Sequence, residues 1–414
     1  MTSPVATPQR DTRFAAEWAR HPGILWVAFL AVHAWLFGLN LYGYGLPLGD
    51  VTIVYTFWVD RFVSDGYLVG IDSAWVYPIL AILPMFAALV AGPENYAAAW
   101  LVLMALLNAA AFGTLLAWRA RASAWWWLAF LAVLGPIALG RIDAVTVPLA
   151  IIGSLLAARQ PRVATTVLTI AAWVKVWPAA LIGALIIVAK DRWRIVSTAL
   201  IVSAAIVATA LLMGSGGNVL SFITQQTGRG LQVEAPVTTI WLWRVLAGDP
   251  ATRVYYDDHI LTWQVEGPGV AETAALMTVV QALAVAALIA LAIYAVRGGA
   301  TATELLAPLS LAFVAALIAF NKVGSPQFVS WLAVPVIVGL TQHWRGRGWS
   351  FTWPAVVTVV IAALTHVMYP YLYGYVLTVH PLMLMVITVR NGLYFVLIVW
   401  AVVRLWRLAH DEPG

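Results

Sequence analysis

Between Arg20 and Asp50 the chain carries no Asp, Glu, Lys or Arg, and comparable uncharged apolar runs recur as far as residue 405. A bilayer core is crossed by about 20 helical residues. In lipid, only helices and closed barrels satisfy their own backbone hydrogen bonds. No run alternates with the period of two that a barrel requires. The fold class expected is therefore an all-α polytopic membrane protein. Spans are placed at roughly 24–45, 76–91, 96–118, 123–139, 143–158, 163–189, 193–214, 271–296, 304–320, 327–341, 352–369 and 383–405. That makes 12 membrane helices with two larger outer loops, 46–75 and 215–270, in one membrane domain over 1–414. No internal repeat and no low-complexity linker divides it.

Composition agrees. Hydrophobic residues make up 63% of 414, against about 45–50% in a soluble domain. The 22 Trp and 14 Tyr suit interfacial belts. A net charge of +5 reflects Arg and Lys in short loops and is not read as nucleic-acid binding. There is no Cys, hence no disulfide, thiolate nucleophile or Cys metal site. The polar start carries Arg10, Arg13 and Arg20, and no A-x-A cleavage site closes the first apolar run. A signal-anchor helix with a cytoplasmic tail over 1–22 is expected.

Arg-rich loops set the orientation. "KDRWR" (190–194), Arg297, "HWRGRG" (343–348) and "RLWRLAH" (404–410) alternate with Arg-poor loops. The positive-inside rule makes those four cytoplasmic, along with the tail 406–414. The loops 46–75 and 215–270 then face out, as at a plasma membrane with both termini inside. Two loops conflict: "WRARA" (118–122) and "ARQPR" (158–162) land outside if every span crosses. The conflict disappears if 76–91, broken by Pro78 and Pro84, is re-entrant and 163–189 folds back at Trp177-Pro178. Full crossing of 76–91 is the expectation adopted.

In a chain with 10% charged residues, each carboxylate and cation counts. Asp50 follows Gly49 at the mouth of the first span and is a candidate general base. It is equally placed to be a solvated loop residue or a helix cap. Asp60, followed by Arg61, reads as a surface ion pair, and Asp65 and Asp72 as loop residues. Ionisable groups within apolar runs are costly and functional by default. Lys175 in "AAWVKVWPAAL" and Arg390 in "VITVRNGLY" are cations without an acidic sequence neighbour, suited to a lipid phosphate. Arg141 and Asp143 in "LGRIDAV" read as substrate-binding groups or as an interhelical pair. The outer loops add Arg229, Gln232 and Glu234, then Lys322 and Gln327, then His366 and Tyr369, suited to sugar and lipid-head contact or to interfacial anchoring. No G-x-x-x-x-G-K-[ST], H-E-x-x-H or G-x-S-x-G is present, so nucleotide-driven work, a zinc site and a serine elbow are not expected, nor any metal or cofactor.

Four segments carry a resemblance: "GDVTIVY…G…VYP" (49–78), "GRIDAVTVPLAIIGSLLAARQP" with "AAWVKVWPAAL" (140–181), "RGLQVEAPVTTIWLW" (229–243) and "KVGSPQFVSWLAVP" (322–335). In that order they resemble glycosyltransferase family 87, the polyprenyl-phosphate-mannose-dependent mannosyltransferases of the actinobacterial cell envelope with a GT-C fold. The resemblance implies a membrane glycosyltransferase. It would move a sugar, mannose first, from a polyprenyl phosphate to a glycolipid or glycan hydroxyl on the outer face, with inversion. It implies Asp50 as catalytic base; the placement of the cations adds the expectation that the donor phosphate sits near Arg390, with Lys175 or Lys322 as a second cation. Arg141, Asp143, Gln232, Glu234, Gln327, His366 and Tyr369 would contact substrate. The chain departs from the pattern where many members carry His in "SP-x-SW-x-HH" and Gln and Asn in "G-Q-x-N". Here the first reads "SPQFVSWLAVP" and the second holds Arg141 and Asp143. An arabinofuranose donor is the alternative within the fold; a lipid-linked sugar flippase or an accessory subunit is the alternative outside it.

Overall fold

A computed structural model of the chain describes residues 21–225 and 228–410. The tail with Arg10, Arg13 and Arg20, and the last four residues of the C-terminal tail, lie outside the described residues. Helix α1 (Pro22–Tyr42) is followed by a wide helical turn, Asp50–Tyr55, that runs straight into α2 (Thr56–Asp65). The irregular helical stretch 79–91 contains α3 (Ile82–Ala88). Next come α4 (Tyr96–Ala117), α5 (Arg121–Leu134), α6 (Asp143–Leu156), α7 (Pro161–Val174), α8 (Ala179–Val188) and α9 (Arg192–Leu212). The second half holds α10 (Thr239–Leu246) and a hairpin of β1 (Arg253–Asp257) and β2 (Thr262–Glu266). It ends with α11 (Val270–Arg297), α12 (Ala302–Ala319), α13 (Val329–His343), α14 (Thr352–Met368) and α15 (Pro381–His410).

The chain is an all-α polytopic membrane protein. Seven helices among the described residues are long and apolar enough to cross a bilayer: α1, 93–117, 121–138, α9, α11, α12 and α15. These are seven of the 12 runs expected; the other five hold six shorter helices, α3, α6, α7, α8, α13 and α14. Apolar helices sort by burial. Every residue of α13 from Val329 to Thr341 is buried, so α13 is the axis of the bundle. In α9 and α11 only 11% and 17% of the apolar window is buried, so their greasy surfaces are left for lipid. Helix α12 starts with a capping box in which the Thr301 hydroxyl accepts from Glu304 N–H while Glu304 accepts from Thr301 N–H.

The bundle has two chemically different ends. At one, Arg345 donates to the Trp118 carbonyl, and the guanidinium carbons of Arg159 and Arg345 lie 4.6 and 4.8 Å from the Trp118 ring. Gln160, Pro161 and Arg162 line a shallow cleft with Arg194 at the start of α9. The loops 118–122, 158–162, 190–194 and 343–348 thus share one basic end. This overturns the expectation that 76–91 crosses. The Tyr77 ring lies 4.7 Å from Lys175 Nζ at the opposite end, and Trp100, in the first turns of α4, donates to the Leu139 carbonyl there at 2.8 Å. Since α4 then runs to Trp118, the stretch 79–91 begins and ends at the same end, tied back by a 3.0 Å bond from the Tyr96 hydroxyl to the Met85 carbonyl.

The run 163–189 is not one span either. Lys175 is extended (φ −151°, ψ 132°) and Pro178, which cannot donate to a helix, bars continuation. Helix α7 rises beside α9, with Trp173 Nε1 donating to Ser203 Oγ at 2.9 Å, and α8 returns toward Arg192. Starting from the basic end, the 14 residues each of α6 and α7 reach only about 21 Å, short of a hydrocarbon core of about 30 Å. Their shared end, where Asp143 meets Lys175, is therefore recessed.

Over this end lie the two long loops, neither of them irregular throughout. Residues 46–75 are half helical. The 215–270 stretch contains β1 and β2, and Leu231–Val233 joins as a third edge: Val233 N–H donates to the Trp263 carbonyl and Val265 N–H to the Leu231 carbonyl, both at 3.1 Å. Asn218 donates to the Ile71 carbonyl at 2.8 Å, and Ser221 Oγ accepts from Trp75 N–H at 2.8 Å, so the two loops form one cap.

Candidate active site

Asp50 opens the wide helical turn after Gly49, where a carboxylate favours the positive end of the helix. Its Oδ2 lies 3.1 Å from Arg141 Nε, and the Asp50 side chain keeps 39% of its surface open. Arg141 is buried and donates to the Pro47 carbonyl (2.9 Å), the Gly140 carbonyl (2.7 Å) and the Tyr369 hydroxyl. It therefore pins the 47–50 segment and Tyr369 to the turn before α6. The reading of Arg141 and Asp143 as a mutual pair is not what forms. The two side chains leave the same turn in different directions and take separate partners.

Asp143, 1% exposed, accepts from Trp331 Nε1 at 2.6 Å and faces Lys175 Nζ at 3.8 Å. Lys175 keeps 19% of its side chain open and sits 4.7 Å from the Tyr77 ring and 5.8 Å from that of Phe328. Trp331 stacks on Trp177 at 5.4 Å and on Phe328 at 4.2 Å, giving the recess an aromatic wall. The Trp177-Pro178 break thus places Trp177 here, its Nε1 donating to Thr146 Oγ1 at 2.9 Å. Tyr55 reaches the turn that both clusters share: its hydroxyl accepts from Ile142 N–H at 3.1 Å.

Arg390 is supplied from within the protein. Glu234 Oε2 accepts from Nη1 at 2.9 Å and the Glu234 carbonyl from Nη2 at 2.9 Å, while Asn391 Oδ1 accepts from Nε and Nη2 at 3.1 and 2.8 Å. The pair is sealed, with side-chain exposures of 1% and 3%. Burial pushes the Glu234 carboxyl up from its ordinary value, opposed by the charge and hydrogen bond of Arg390 and by a hydrogen bond from Tyr373. Sequence proximity offered Arg390 no acid; the partner comes from 156 residues earlier.

Gln232 and Lys322 meet through backbone, Gln232 N–H donating to the Lys322 carbonyl at 3.0 Å, and Gln232 Oε1 accepts from Gly324 N–H at 3.2 Å. A Cβ at Gly324 would strike the Glu234–Ala235 peptide, so glycine is what lets the two loops close. Burial lowers the Lys322 ammonium from its ordinary value. Gln232 Nε2 and Gln327 Oε1 are buried without a hydrogen-bond partner, as is Arg229 Nε. His366 donates from Nδ1 to the Val133 carbonyl at 3.0 Å, and its ring fills the place a Cβ on Gly135 (φ 75°) would need. That contact is one of packing. Asp60 is in no described ion pair; Arg61 lies 4.0 Å over the Tyr67 ring instead. Asp72 closes its own turn, accepting from Leu68 N–H at 2.6 Å.

The end of the bundle opposite the basic loops therefore offers a half-open carboxylate, a partly covered ammonium and an aromatic wall, around the turn 140–143. The family model for glycosyltransferase family 87 matches residues 75–320, more than half of the chain. The chain belongs to glycosyltransferase family 87. No curated protein and no solved structure matches it. Within the matched span of this family 87 protein lie Tyr77, Arg141, Asp143, Lys175, Gln232 and Glu234; Asp50, Lys322, Gln327, His366, Tyr369 and Arg390 lie outside it. Sequence reasoning passed over Tyr55, Tyr77, Trp331, Tyr373 and Asn391. Tyr77 and Trp331 stand inside segments that carried the resemblance, but nothing in their spacing marks them as polar partners of a buried acid.

Proposed function

We propose that this membrane glycosyltransferase takes a sugar, mannose first, from a polyprenyl phosphate and transfers it with inversion to a hydroxyl of a glycolipid or glycan. In this reading Asp50 is the general base and the active site faces out of the plasma membrane. The observation that carries the reading is the placement of a half-open carboxylate and a partly covered ammonium on either side of one turn, Asp50 held to Arg141 and Lys175 to Asp143. The acceptor hydroxyl gives its proton to Asp50 as its oxygen bonds to the anomeric carbon. The bond from that carbon to the phosphate oxygen breaks, and the lipid phosphate leaves with the electron pair. Lys175, in the recess, meets the departing charge, and Lys322 is the second cation. A preorganised cation at a water-poor site stabilises such charge far more than one in water. Gln232 and Gln327, each with a buried unpartnered polar atom, suit sugar hydroxyls.

Purified protein in lipid nanodiscs, given polyprenyl-phosphate-mannose, tests this. Release of polyprenyl phosphate that depends on an added acceptor supports transfer. Movement of the donor between leaflets without its cleavage would make the protein a flippase, and cleavage of a pentose donor in place of mannose would change the sugar alone.

A further inference from the structure

A line of side-chain contacts, polar at its two ends and aromatic in its middle, runs from the sealed ion pair to the open one. Arg390 holds Glu234; Glu234 lies beside Tyr373; the Tyr373 ring stands edge-on to that of Tyr369 at 5.4 Å; the Tyr369 hydroxyl takes a bond from Arg141; and Arg141 pairs with Asp50. Four parts of the chain meet in this line: the last helix, the cap segment 231–238, the 369–373 turn and the turn before α6. Each arginine is nearly exhausted by protein acceptors. Arg390 uses four of its five N–H groups on Glu234 and Asn391. Arg141 donates three to Pro47, Gly140 and Tyr369 and pairs its charge with Asp50. A guanidinium so occupied, with its charge already matched, has little left for a substrate phosphate.

We propose that Arg390, Glu234, Tyr373 and Tyr369 are positioning residues: they form a brace that sets Arg141, and through it the direction of the Asp50 carboxylate, while the donor phosphate is left to the lysines. The proposal rests on Asp50 being the base. The brace works because its far member, Arg390, is itself held in place. Asn391, itself donating to Thr239 Oγ1 at 2.9 Å, fixes the Arg390 plane, and that plane fixes the carboxylate and carbonyl of Glu234 together. The Arg141 end is the only one whose acid is open, so small displacements in the brace are felt where the acceptor docks.

The test uses the full chain in nanodiscs. Tyr369→Phe removes one oxygen and keeps the ring, so it spares the fold. Its kcat should fall about 10²-fold, the loss typical of a misdirected catalytic group. The donor KM and the binding of polyprenyl phosphate should stay at wild-type values. Glu234→Gln should act alike, and the double variant should be no worse than the poorer single, as for members of one coupled unit. Additive losses, or weakened polyprenyl phosphate binding with kcat preserved, would overturn the brace. A second readout needs no turnover: the rate at which a water-soluble carbodiimide and an amine label Asp50, read by peptide mass. Labelling should be faster in Tyr369→Phe than in wild type and unchanged in Lys175→Ala. If Tyr369→Phe leaves the Asp50 rate unchanged, the brace is wrong whatever the enzyme transfers. If the rate rises but wild type cleaves no donor, the brace stands and the transfer reading falls.

Discussion

Asp50–Arg141 and Glu234–Arg390 are the same chemical pair in two settings. Both hold a carboxylate near 3 Å from a guanidinium, at 3.1 and 2.9 Å, yet the first acid is 39% open and the second 3%. A charge taken wholly out of water must be matched by fixed partners, because losing one leaves the other stranded. Glu234 is gripped by Arg390 through its carboxylate and its backbone carbonyl and serves the architecture. Asp50 faces water on one side, where an incoming hydroxyl can reach it. Exposure, more than pairing, separates the acid suited to chemistry from the acid suited to bracing.

Four changes probe that contrast. Asp50→Asn keeps the shape of the side chain and removes its basicity, so turnover should drop by about 10²–10⁴-fold with melting temperature and polyprenyl phosphate binding intact. Normal turnover would mean that Asp50 is a surface residue after all. Arg390→Ala strands Glu234 in the interior and should cost about 3–5 kcal/mol of stability, visible as a large fall in melting temperature in detergent. A variant that melts like wild type would make the sealed pair no different from the open one. Lys175→Ala should weaken binding of polyprenyl phosphate by about 10- to 100-fold, the worth of a charge-assisted hydrogen bond, as measured by ligand titration. Unchanged affinity would move the phosphate elsewhere. Arg253→Ala breaks the pair with Glu266 at the hairpin, where both side chains are open (70% and 47%). The loss there should be no more than about 1 kcal/mol; a larger one would mean exposure is a poor guide to the worth of these pairs.

Much of the architecture was legible in the chain. The seven long helices coincide with apolar runs, because hydropathy summed over about 20 residues depends on those residues alone. The conflict between the arginine loops and full crossing was also legible, and the fold resolves it by the route the charges favoured: 76–91 stays at one end, and the chain folds back at Lys175–Pro178. The break at Pro178 is local, but whether the chain continues or reverses after it depends on what packs alongside. Here α9 receives α7 on one stretch and α8 on the return.

The site was legible as residue types and illegible as partnerships. A cation without an acidic neighbour in sequence looked free for phosphate at both 175 and 390. Arg390 finds Glu234 across 156 residues, and Lys175 finds Asp143 across the α6–α7 hairpin. Tyr373 gave no signal, since a tyrosine among tyrosines at an interface is what anchoring alone would produce.

Membrane residence, helical content and the supply of rare charges were written in the order of residues, since transfer from water to lipid is a property of each segment by itself. Which charge meets which, and which acid keeps a wet side, came only from the meeting of loops far apart in the chain. Ion pairing and desolvation act through space over a few ångströms, and no local pattern encodes those neighbours.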